Sequence, residues 1–155
     1  MITYTNDAKS IIDALYGILT GEFSDIYVVY EDQFNPEYLG HQKYLRFFLA
    51  EDRNIEMVAN GEVREYEIQF ALYFNLDHMQ EREDFAIYTD YAERLKQLLH
   101  NNNNYAPASA YKWHDSRVQT IVYPVGIGEE EEINGYENIK AIYITASITR
   151  SNFWS

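Results

Sequence analysis

The chain has 155 residues, 46% hydrophobic and 24% charged, and its 12 Lys+Arg against 25 Asp+Glu give a net charge of −13. That length fits one domain, residues 1–155, in which folding hides roughly 70% of the unfolded surface, and the composition excludes wholesale disorder. The acidic balance repels nucleic-acid phosphates and anionic lipid heads, and the absence of cysteine excludes disulfides and thiol chemistry.

Polar residues follow Met1, so no secretory signal is expected, and no apolar run approaches the ~20 residues of a membrane helix. Asn6 or Asp7 can cap a first helix, whose apolar stripe is Ile11, Ile12, Leu15, Ile18 and Leu19 and which Gly21 ends. Residues 26–30, IYVVY, predict a first strand, and residues 31–42 a loop punctuated by Pro36 and Gly40. Residues 43–50, KYLRFFLA, predict a second strand that residues 54–58 continue after a kink at Glu51-Asp52-Arg53.

The clearest signal is residues 62–75, EVREYEIQFALYFN. Tyr66, Ile68, Phe70, Leu72 and Phe74 point one way, and Glu65, Glu67, Gln69, Ala71 and Tyr73 the other, because successive side chains of a strand alternate sides. Asn60-Gly61 precedes it as the expected tight turn. A second helix is expected over residues 84–100, with the stripe Tyr88, Tyr91, Ala92, Leu95, Leu98 and Leu99, and the run Asn101 to Asn104 stops it. Residues 117–125 predict a fourth strand, placed at an edge by Pro124. Residues 126–135 form an acidic loop with Glu129, Glu130, Glu131 and Glu132. In the closing strand, residues 137–150, Ile142, Ile144, Ala146 and Ile148 share a face.

This order predicts an α+β fold: an antiparallel or mixed sheet with two α-helices packed on one face, leaving the second face for something else. Fifteen tyrosines suit either protein interfaces or core and edge packing.

Chemistry is harder to find. Glu37 with His41, and Asp77-His78 near Glu81, lack the three or four converging ligands of a zinc site, so no metal is expected. Trp113-His114-Asp115-Ser116 holds the letters of a catalytic triad, but neighbours in sequence cannot line up hydroxyl, imidazole and carboxylate. Gly126-x-Gly128 runs into glutamates, which repel phosphate. Lys43, Arg46, Arg53 and Arg64 are dispersed among acids, unlike a nucleic-acid reader. Carboxylate pairs abound because carboxylates do; glycosidases usually add a larger scaffold and an aromatic sugar cleft. The expectation is a non-enzyme with no catalytic, cofactor-binding or metal-binding residues. The glutamate run reads either as a solvated loop tip or as an acidic projection that docks on a partner.

Two stretches carry a family resemblance. Residues 43–75 show a strand, a short excursion and an REY-type strand with apolar alternation, and residues 88–102, YTDYAERLKQLLHNN, a helix with an asparagine-rich exit. In these, and in its acidic loop and closing strand over residues 126–150, the chain resembles the tail-terminator (tail-completion) proteins of tailed bacteriophages. The resemblance covers most of the chain. It implies a structural virion protein of the tail or neck, made in the host cytoplasm, without cofactor or catalytic residues. It further implies a ring, typically of six subunits, that caps the tail tube, ends its polymerisation and joins tail to head. The implied partners are further copies of the chain, the tail tube protein, a head-side connector or adaptor protein and, in a contractile tail, the sheath terminator. The resemblance also implies that DNA passes through the lumen without sequence-specific binding and that no membrane is involved. Another neck or head-closure protein, or an acidic adaptor or inhibitor that binds a basic host protein, are the alternatives. The candidate interface residues are Glu65, Glu67, Gln69 and Tyr73 on the long strand, and Glu129, Glu130, Glu131 and Glu132 in the loop.

Overall fold

Asn6 caps the first helix as its side-chain oxygen accepts the Lys9 amide at 3.1 Å, satisfying one of the orphan donors of the first turn. Helix α1 (Asp7–Glu22) then runs until the Phe23 amide closes on the Leu19 carbonyl. The computed structural model describes residues 1–40, 43–75, 81–126 and 139–153. After α1 come β1 (Tyr27–Tyr30), a 3-10 turn (Pro36–Gly40), β2 (Lys43–Val58), β3 (Gly61–Asn75), α2 (Glu81–Asn101), a second 3-10 turn (Pro107–Ser109), β4 (Asp115–Gly126) and β5 (Ile139–Phe153). The strands form one sheet in the order β1-β2-β3-β5-β4. β1 is parallel to β2 and every other pair is antiparallel. The α+β expectation holds, and β4 lies at an edge as Pro124 suggested.

Both helices lie against one face. Ile11, Leu15 and Leu19 of α1 and Tyr88, Tyr91, Ala92, Leu95 and Leu99 of α2 share a core with the Tyr66-to-Phe74 stripe of β3 and the Ile142-to-Ile148 stripe of β5. Burying each large apolar side chain stabilises the fold by about 1.5–3 kcal/mol, so the two periodicities read from sequence meet in one layer.

Three sequence expectations change. First, the kink near Glu51 is a β-bulge inside one continuous strand: the β2–β3 register shifts between Leu49 and Glu51, and again between Asn54 and Glu56. The extra residue shifts the alternation by one, so Glu51 and Arg53 share a face with Arg46 and Phe48.

Second, the hairpin turn is Ala59-Asn60, because Val58 already pairs with Gly61. Gly61 is there for space. A Cβ on it would lie 2.1 Å from the Asn152 carbonyl oxygen and 3.0 Å from the Phe153 Cα, where the end of β5 passes.

Third, the second face of β3 is not open along its length. Ala71 and Tyr73 are buried with Tyr44, Ile139 and Ala141 in a smaller cluster, which Phe34 and Tyr38 of the loop after β1 fold over. Tyr44 and Tyr73 stack at 4.6 Å, Phe34 and Tyr73 meet at 5.0 Å, and Tyr27 and Tyr38 at 4.8 Å. Much of the tyrosine excess is intramolecular packing.

A candidate interaction face on the sheet

The face away from the helices divides in two. Its lower half is the tyrosine cluster. Its upper half is polar and open, and the strand register sets its rows. Arg53, Glu65, Thr149 and Asp115 lie side by side across β2, β3, β5 and β4. Glu51, Glu67, Ser147 and Arg117 form the next row, and Phe48, Gln69, Thr145 and Thr120 the third. A shallow concavity of about 380 Å³ opens among Arg53, Glu65, Glu67, Gln119, Thr145 and Ser147.

Short bonds hold this surface. Arg53 pairs with Glu65 and Arg117 with Asp115, each at 2.5 Å, and the Gln119 amide donates to the Ser147 hydroxyl at 2.9 Å. On the opposite side of the same arm Arg64 bridges Asp52 and Glu62. Hydrogen bonds from its guanidinium to both carboxylates, Asp52 first, push the Arg64 pKa up.

Glu65, Glu67 and Gln69 therefore sit together on the open surface, as the alternation implied. Tyr73 does not. It is 1% exposed, covered within its own chain, because the loop after β1 folds over that end of the strand. The sequence carried no periodic signal for that cover. Glu129, Glu130, Glu131 and Glu132 lie outside the described residues, as do His41 and His78.

The triad-like letters have a different role. Trp113 is fully buried, and its Nε1 donates to the Asn102 carbonyl at 2.7 Å. Ser116 donates to the Leu99 carbonyl at 2.5 Å. Both satisfy carbonyls that the end of α2 leaves without helical partners, while Asp115 faces the opposite side of the sheet beside Arg117. The sequence signal for this was the position of a buried indole and a small hydroxyl just beyond the asparagine exit.

Among the described residues the carboxyls whose pKa is displaced, Asp25 and Glu93, both lie below their ordinary values. For Asp25, burial alone would raise the pKa, and hydrogen bonds from Tyr91 and Arg94 together outweigh it; for Glu93 the Lys96 hydrogen bond lowers it. A general acid at neutral pH needs the reverse shift. Among the described residues no three His, Asp or Glu side chains gather as metal ligands, and no helix is long and apolar enough to cross a membrane.

No family model and no curated protein matches the chain. Among solved structures, it is similar to the sheath/tube terminator of an extracellular contractile injection system, PVC, in its extended state. The two are 12% identical, with 98% of this chain and 58% of that one covered and a TM-score of 0.47. This chain spans 58% of that terminator's length. A second solved structure, whose name states no activity, is 13% identical, with 95% of this chain and 97% of its own covered and a TM-score of 0.49.

Proposed function

We propose that the chain is a structural subunit of a phage-type tail. It closes a ring, of six copies in the family it resembles, on the last layer of the tail tube, and presents its other side to a head-side connector. The observation that supports this reading is the split sheet: one face covered by two helices, the other polar and open over its upper half between two strand edges, β2 above Phe47 and β4, that have no strand neighbour among the described residues. Such edges and faces suit assembly with further copies or other tail proteins. Acidic surfaces suit a lumen past which DNA slides, since like charge keeps phosphates from adhering.

Quantitative mass spectrometry of purified particles tests it. The chain is expected at a few copies per tail, far below the tube subunit; its absence from particles defeats the proposal. The second reading, an acidic adaptor for a basic host protein, draws on the arm of residues 51–67, which carries six acids and two arginines. It predicts capture of a host protein and no incorporation into particles.

A further inference from the structure

Granting the ring proposed above, we infer that its seam is formed where the open edge of β2 in one copy meets β4 of the next, with Glu51 against Arg117 and Arg53 against Asp115.

Both edges lack a strand neighbour among the described residues, as does the outer edge of the four-residue β1. β1 covers β2 only from Tyr44 to Phe47, the Leu49 amide donates to the Tyr30 hydroxyl, and among the described residues no strand pairs with the outer edge of β2 above that point or with the outer edge of β4. Three antiparallel steps separate β2 from β4, so the two run in opposite directions. A second copy placed alongside, continuing the strand order, therefore meets the first through one more antiparallel pair.

The register then decides which charges meet. Glu51 lies in the row of Arg117, and Arg53 in the row of Asp115. Continued into a neighbour, each row brings opposite charges together. Within one copy the Glu51 row is frustrated, whereas Arg53 already pairs with Glu65. Glu51 stands directly opposite Glu67, a like-charge cross-strand pair that opposes folding. Glu51 has no ion-pair partner among the described residues. Arg117 reaches only Asp115, two residues along its own strand, and remains 63% exposed. A neighbour's Arg117 supplies the cation that Glu51 and Glu67 lack.

The bulges suit this contact. They flank residues 51–54 on β2 and so leave a short window with one acceptable register, while discouraging indiscriminate edge pairing. The β4 bulge at Gln119 falls at the level of Phe48 and Leu49, just above the end of β1 opposite Phe47. A bulge bends its strand, which would let β4 pass the neighbour's β1 at this level.

Charge exchange tests the seam on rings formed by the full chain at tube ends, counted by electron microscopy. Glu51→Arg alone and Arg117→Glu alone are each expected to lower ring occupancy by at least about tenfold, since juxtaposed like charges disfavour the wrong neighbour. Glu51→Arg relieves the clash with Glu67, so the monomer melts no lower than the unaltered chain. The double variant Glu51→Arg/Arg117→Glu restores the ring, and so does an equimolar mixture of the two single variants, with copies alternating. Glu93→Arg, on the outward side of α2, leaves rings unchanged. Rings of normal occupancy from both single variants overturn the seam while leaving the ring intact. Absence of rings from the unaltered chain overturns the ring reading itself, and the seam with it.

Discussion

Arg46 donates from Nε to the Tyr73 hydroxyl at 2.9 Å, and its guanidinium lies over the Tyr73 and Phe48 rings at 5.5 and 5.8 Å. A cation is thus buried on the outer face among aromatic rings, with Tyr73 fixing its position. Tyr73 belongs to the stability of the subunit and not to an open surface. Tyr73→Ala is expected to cost ~3–5 kcal/mol in urea unfolding, through the cavity and the uncovered guanidinium. Tyr73→Phe keeps the ring stack and is expected to cost ~1–2 kcal/mol. The Phe variant should still assemble.

The end of α2 depends on two donors from the segment that follows it. Ser116→Ala leaves the Leu99 carbonyl buried without its 2.5 Å partner, an expected loss of ~1–3 kcal/mol. Trp113→Phe keeps most of the ring volume but removes the bond to Asn102. Hydrogen exchange at the Asn102 and Asn103 amides, which close the last turn on Leu98 and His100, is expected to quicken in both variants. Unchanged protection there contradicts the clamp.

Gly61→Ala tests the close approach of strands at the tip of the arm. The new methyl meets backbone on both Asn152 and Phe153, and backbone cannot swing aside as a flexible side chain can. The end of β5 is expected to detach, at ~1–3 kcal/mol as for other overpacked sites. Faster exchange should be confined to residues 151–153, with the helix-covered core unaffected.

Stability at the extremes of pH should report the Asp25 cluster. Tyr91 donates to Asp25 at 2.6 Å, and Arg94 reaches the same carboxylate at 3.4 Å. The folded Asp25 pKa lies below its unfolded value of 3.8, so its contribution is present above that pH and is lost as pH falls through the folded value. Tyr91 is pushed up from 10.0 to about 12, first by burial and then by its bond to Asp25. Its contribution is therefore complete below pH 10 and is lost as pH rises through about 12. Asp25→Asn should flatten the acid limb of a stability profile, and Tyr91→Phe the alkaline limb.

The helices and the buried stripe of β3 were legible because their periods, 3.6 and 2, run uninterrupted through apolar residues. Tyr66 to Phe74 and Ile142 to Ile148 landed in one core for that reason. The upper half of β2 was harder to read. Glu51, Asp52 and Arg53 look like a break, and the bulge at Ala50 that reverses their facing leaves no mark in a hydrophobic pattern. Tyr73 was misplaced because cover by a distant loop is a tertiary fact; Phe34 and Tyr38 carry no local sign that they fold onto β3. The position of β5 between β3 and β4 likewise comes from pairing, which a single strand's pattern does not encode. Glu65 and Glu67 fall, half-buried, on the face away from the helices that alternation gave them, while only the register brings Glu51 and Arg117 into one row with Glu67.

Growth of tail tubes in the presence of the chain decides whether it caps them. Tube protein from the particle that carries the chain is polymerised from preformed tail bases, and tube lengths and ends are scored by electron microscopy. Adding the chain is expected to stop elongation and leave a closed ring of it on the growing end. Tubes that lengthen as before, with bare ends, contradict capping.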